Sequence, residues 1–133
     1  MLVMEYAGST LLTRHSADGY IPGQWGLPTE TLPKGGRPLV IARELSRKLL
    51  GKRIQLKPCQ PVRHAITHRR ILAHIFRADL DERQPVGSTA GNSVMWINHG
   101  ELDRFIISSF YRKSIRSAWG GEESTSSIRL LKR

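Results

Sequence analysis

The chain is short of thiols, of long apolar runs and, across one long stretch, of acids, and each shortage closes off a class of protein. A single cysteine, Cys59, has no partner for an internal disulfide and cannot build a four-cysteine zinc or iron–sulfur site. Nowhere do eighteen apolar residues run together, and the opening MLVMEYAGST has no basic region leading into an apolar one. Neither a membrane span nor a secretory signal is predicted, and the expected location is the reducing cytoplasm. Hydrophobic residues make up only 39% of the 133, yet Val, Ile, Leu and aromatics recur in short blocks, which argues for one modest core and against wholesale disorder.

The acids are missing from one region in particular. Between Lys34 and Arg77 there are twelve Lys or Arg and a single acid, Glu44, whereas the rest of the chain carries nine bases and ten acids. The formal charge of +10 is therefore a local patch, which favours phosphate-rich partners and a salt-dependent attraction. A solvated basic face is the plainer explanation, and charge alone does not choose between them.

LVMEY and TLLTR flank Ala-Gly and predict two strands joined by a tight turn, the first beginning at the initiator methionine. So abrupt a start raises the expectation of a fragment or an internal start codon. HSADGYIPGQWGLPTETLPKGG predicts a long structured loop with an extended piece at Trp25 to Leu27. Pro38 to Leu50 is the strongest helix: Pro suits the first position, Leu39, Ala42, Leu45 and Leu49 share a face, and Gly51 suits a left-handed cap. KRIQLKP predicts a short strand, QPVRHAITH and RRILAHIFRADL a hairpin, DERQPVGSTAGN a surface loop and SVMWIN a strand. Two short helices follow, one capped by Asn98 and one by Ser108 or Ser109. The expected domain is 1–119, with 120–133 a flexible tail.

This order of strands and helices resembles the Nudix fold, an α/β/α sandwich around a mixed sheet. That family's catalytic motif runs Gly, five residues, Glu, seven residues, Arg-Glu-aliphatic, one residue, Glu-Glu, one residue, Gly, because its helix aims carboxylates at divalent metal ions. Arg43, Glu44 and Leu45 match the Arg-Glu-aliphatic core. Arg47 and Lys48 stand where the two metal-binding glutamates belong, Gly35 replaces the upstream Glu, and Thr29 the opening Gly. Two bases repel a magnesium ion, so the expectation is a Nudix-shaped domain with no metal, no cofactor and no Nudix hydrolysis. Glu44 is expected to pair with Arg47 or Lys48 on its own helix.

Over residues 1–119 the sequence is also similar to the C-terminal domain of MutY-type adenine DNA glycosylases, a Nudix-like fold without a working Nudix box. LLTRHSADGYIPGQWGLPTE, VRHAITHRRI and WINHGELDRFIISSFYRKSI carry the similarity, in the family's order. The resemblance implies a partner, double-stranded DNA with 8-oxoguanine opposite adenine, and a separate glycosylase domain for the chemistry. It places Ile66 at the family's intercalating Phe, Thr67 at the hydroxyl that hydrogen-bonds the oxidised base edge, and His68 at the histidine. Thr67 can donate and accept, as sensing the C8 carbonyl and N7–H requires. Ile66 keeps an apolar wedge but loses the aromatic surface.

Each of these residues also has a plainer role. Thr67 and His68 also read as hairpin-turn residues, and Arg69 and Arg70, expected to hold phosphates, as ordinary surface arginines. His64 and His74 fit structural histidines, Trp25 and Trp96 anchors, Cys59 a small buried hydrophobe, and Ser109, Arg112 and Lys113 the face of a capped helix. No serine or cysteine nucleophile with a positioned base is found, so no catalytic residue is assigned. Two rival readings remain: a divergent Nudix hydrolase using Glu30 and Glu44 on a nucleoside diphosphate derivative, and a basic RNA-associated or protein-interaction domain.

Overall fold

A computed structural model describes residues 1–15, 24–66, 68–81, 92–106 and 108–120, with His15, Ile66 and Asn92 described by backbone alone. Residues 16–23 of the expected loop at 15–36, most of the expected loop at 81–92, and the expected tail after Gly120 lie outside the described residues.

The apolar run β1 (Leu2–Tyr6) turns back into β2 (Ser9–His15) through Ala7 and Gly8, whose φ values of 44° and 80° are those of a primed hairpin turn. The two strands pair only next to that turn, at Glu5–Thr10 and Tyr6–Ser9. Farther along, β3 (Trp25–Gly26) takes over the same edge of β2, opposite Thr13 and Arg14. The other edge of β2 is filled along its length by β8 (Asn92–Asn98). On its far side β1 pairs in parallel with β7 (Phe76–Asp79), which in turn pairs with the short β4 (Lys57–Pro58). The sheet is therefore mixed, as expected.

Its two faces carry separate cores. Leu2, Met4, Leu11, Phe76 and Ala78 pack under α1 (Pro38–Leu50) through Ala42 and Leu49. Alternation sends Val3, Leu12 and Ile97 to the opposite face, against Leu102, Ile106, Phe110, Ile115 and Trp119. Those residues come from α2 (Leu102–Phe105), entered by a 3-10 turn at His99–Glu101, the segment after it, and α3 (Ser109–Trp119).

The helix ends follow the expected chemistry. Pro38 opens α1, and Gly51, with φ 71°, closes it by donating its N–H to the Arg47 carbonyl at 2.8 Å. Asn98 accepts from Gly100 N at 2.9 Å, and Ser108, of the two candidates, caps α3 by accepting from Phe110 N at 3.2 Å.

One expectation is corrected: of KRIQLKP only Lys57 and Pro58 are strand, because Ile54 and Leu56 return beneath α1 to pack on its core. RRILAHIFRADL divides into β6 (Arg69–Ala73) and β7, which belong to different sheets. β6 pairs instead with β5 (Val62–Ile66) in a separate two-stranded hairpin.

A polar group ties β1 to the segments at His99 and Trp119. Glu5 is 6% exposed. One oxygen accepts from the Thr10 hydroxyl at 2.8 Å and meets His99 Nε2 at 2.7 Å, while the other accepts from Trp119 Nε1. The His99 ring also lies against Trp119, with centroids 4.7 Å apart.

Candidate nucleic-acid interface

Ile66 pairs with Arg69, so the β5–β6 hairpin closes through two residues, Thr67 and His68. Thr67 itself lies outside the described residues. His68 is exposed at the turn, and Arg69 and Arg70 are exposed at the start of β6.

Cross-strand partners share a face. Val62–Ala73, His64–Ile71 and Ile66–Arg69 make one face of the hairpin, Arg63–Leu72 and Ala65–Arg70 the other. The first is the anchored face: Val62 and Ala73 are buried, and His64 stacks on Phe110 of α3 with centroids 5.0 Å apart and planes at 14°. Ser117 of α3 also donates its hydroxyl to the Gln60 carbonyl at the entry to β5. The second face is open, with Leu72 52% exposed between arginines.

Arg69 and Arg70, each an expected phosphate contact, are successive strand residues and so belong to different sides of the ribbon. Arg70 shares its face with Arg63 instead, a position the sequence reading passed over although period-two alternation points to it.

His64 is structural. Burial, then the neighbouring Lys113 ammonium, hold its imidazole below the ordinary 6.5. Between the lowered folded value and 6.5 the unfolded chain binds the extra proton, so stability is full above about 6.5 and falls as pH drops through that window. Wild type is expected to lose more of its urea midpoint between pH 7.5 and 5.5 than His64→Phe, which keeps a ring on Phe110 but cannot titrate. Equal losses in the two proteins would exclude His64 as the cause.

The other expected anchors are also structural. Trp25 meets Phe105 edge-on at 6.3 Å and lies under the Arg14 guanidinium, 5.8 Å from the ring centroid. Trp96 meets Tyr6 edge-on at 6.3 Å. Arg112 is bound to Asp103 at 2.8 Å and to the Ile106 carbonyl at 2.8 Å. Cys59 is half-buried, its Sγ directed to the Lys57 carbonyl at 3.4 Å, and burial pushes its thiol upward, away from the thiolate.

On the opposite side of the sheet, Arg43, Glu44, Arg47 and Lys48 are all exposed on α1. The expected pairing of Glu44 with Arg47 or Lys48 does not form among the described residues: an exposed helix pair is worth only about 0.3–0.5 kcal/mol, which ordering two side chains can cancel. Glu44 and Lys48 instead line a groove of about 440 Å³ with Glu30, Ile41 and Leu45. Two carboxylates beside a lysine do not make a divalent-metal site, and among the described residues no cluster of three or more His, Cys, Asp or Glu is placed to hold an ion. The donor set does not fit the metal that the family's catalytic motif binds. No helix among the described residues is long and apolar enough to cross a membrane.

Comparison with solved structures returns the same architecture on proteins of different activities. The C-terminal domain of mouse MUTYH, solved in complex with human PCNA, superposes with a TM-score of 0.70 at 19% identity, covering 87% of this chain and 82% of that one. The Escherichia coli dihydroneopterin triphosphate pyrophosphohydrolase gives 0.70 at 14% identity, over 86% and 90% of the two chains. The NUDIX domain of Shewanella oneidensis NrtR, solved with ADP ribose, gives 0.71 at 13%, over 88% and 82%. At these identities the likeness is one of fold. No curated protein matches the sequence. The NUDIX domain family matches residues 1–117, nearly the whole described fold, and the chain belongs to that family.

Proposed function

We propose that this chain is a non-catalytic DNA-recognition member of the NUDIX family that reads 8-oxoguanine opposite adenine, with adenine excision supplied by a separate glycosylase domain. The observation that carries the proposal is the pairing of two features. The helix that holds metal in the family's hydrolases presents Arg47 and Lys48, and the β5–β6 hairpin, anchored through His64, offers an exposed tip with His68, Arg69 and Arg70 around Thr67. In this reading Ile66 opens the base step, the Thr67 hydroxyl tests the oxidised base edge, and Arg70 with Arg63 contacts one phosphate strand.

At fixed salt the protein is expected to bind a duplex with an 8-oxoguanine:adenine pair more tightly than one with guanine:adenine. Thr67→Val, which removes the hydroxyl at nearly constant volume, is expected to cut that preference by about tenfold, near the low end of a base-directed contact at about 1–3 kcal/mol. Fluorescence anisotropy on the two duplexes measures both effects. Equal affinity of the wild type for the two duplexes would retire lesion reading.

The likeness in fold to a pyrophosphohydrolase keeps a second reading, hydrolysis of a nucleoside diphosphate derivative with Glu30 and Glu44, against which the poor metal fit of their groove counts. Magnesium-dependent release of pyrophosphate or phosphate from canonical and oxidised nucleotides, lost in Glu44→Gln, would favour it over the first.

A further inference from the structure

The basic stretch that looks like one patch in sequence is divided by the sheet. α1 packs on the core of Leu2, Met4, Leu11 and Phe76, whereas the hairpin packs with Val3, Leu12 and Phe110 on the reverse face. Layers spaced about 10 Å apart put roughly 20 Å of protein between the outer side of α1 and the hairpin layer. One straight duplex cannot lie along both.

The outer side of α1 has its own pattern. Arg37, Arg43, Arg47 and Lys48 are exposed, and none forms an ion pair among the described residues. Arg43 and Arg47 are one helical turn apart, about 6 Å along the axis, on one flank of this side, and Arg37 and Lys48, about three turns apart, lie on the other. Past the Gly51 cap, Arg53 is exposed as well. Against these bases the helix offers one acid, Glu44.

We infer that this face is a second, sequence-independent binding surface for the phosphate backbone of double-stranded nucleic acid, so that one molecule holds two duplex segments, one on α1 and one on the hairpin. The inference rests on the nucleic-acid reading above but does not require lesion recognition. The unpaired guanidinium groups of Arg43 and Arg47 on one flank, with Arg37 and Lys48 on the other, match the phosphate oxygens of a backbone laid across the helix. A protein partner fits less well: protein interfaces exclude charge from an apolar centre, and here the one large apolar side chain exposed on α1, Val40 at 44%, is flanked by charges.

The test uses the full chain and a labelled 12-base-pair duplex without a lesion, titrated at low salt and followed by sedimentation velocity. Wild type is expected to saturate at two duplexes per chain. The variant Arg43→Gln/Arg47→Gln/Lys48→Gln, all surface positions, is expected to saturate at one. Removing two or three phosphate contacts lowers the salt slope of the α1 site by about 2–3 and its affinity by at least about tenfold near 0.1 M salt. Circular dichroism checks that the variant is folded. Saturation of wild type at one duplex, or of the variant at two, overturns the inference, and the first result leaves α1 to an acidic protein partner. Two duplexes without any preference for 8-oxoguanine would retire the lesion reading alone, and a lesion preference with a single duplex would retire this inference alone.

Discussion

Replacing Glu5 by Leu is expected to cost about 3–5 kcal/mol, a large part of the roughly 5–15 kcal/mol that holds a fold of this kind together. The cost comes from what stays behind. Thr10 Oγ1, His99 Nε2 and Trp119 Nε1 all meet the Glu5 carboxylate; leucine leaves buried Thr10 and Trp119 with no acceptor and half-buried His99 without its partner. Glu5→Gln keeps the shape and one acceptor oxygen but turns an amide N–H₂ toward groups that are themselves donors, so about 1–3 kcal/mol is expected. Adding Thr10→Val and His99→Leu to Glu5→Leu removes two of the stranded groups and is expected to recover part of the loss. Urea unfolding followed by tryptophan fluorescence measures the series. A Glu5→Leu midpoint equal to wild type would mean that the network contributes nothing net.

The second large effect is expected from one methyl group. Gly26 in β3 lies against the ring of Tyr111, and a Cβ built on it falls 2.7 Å from the phenolic oxygen and nearer still to two ring carbons. Tyr111 is 2% exposed and packed in the core of the α3 side, so it has no free direction in which to retreat. Gly26→Ala is expected to destabilise by about 3 kcal/mol, the upper part of the overpacking range. Tyr111→Leu costs stability by itself, but Gly26→Ala introduced into that background is expected to cost less than about 1 kcal/mol, because the clashing ring is gone. Equal costs in the two backgrounds would place the strain elsewhere.

Much of the fold could be read from local chemistry. Pro38 and Gly51 mark α1 to the residue, Ala7-Gly8 marks the first turn, and Ser108 marks the start of α3, because caps and turns depend on neighbours in sequence. The hairpin around Thr67 was equally legible. What escaped depends on distant partners. The break at His74 and Ile75 that sends β7 to β1 carries no glycine, proline or other turn residue to mark it. The partition of the bases into two surfaces follows from which side of the sheet each segment joins, which a charge count along the chain does not contain. Glu5 did leave a signal, a lone acid inside the apolar run LVMEY, but its partners are 94 and 114 residues away at His99 and Trp119. Of the candidate site, the hairpin positions and the division of Arg69 from Arg70 follow from strand alternation, whereas which face of the hairpin is anchored on α3 needed the fold.

The bond between Glu5 and Trp119 also sets an order of events. The ribosome makes β1 first and the tryptophan that completes its surroundings 114 residues later, with β7, the parallel neighbour of β1, arriving late as well. Until α3 has emerged, the nascent chain carries an apolar strand whose Val3 face is uncovered and a Glu5 carboxylate still without Trp119. Contacts of such long sequence separation slow the closing step, so the vulnerable interval lies within synthesis itself, when LVMEY is present and its α3 side is still bare.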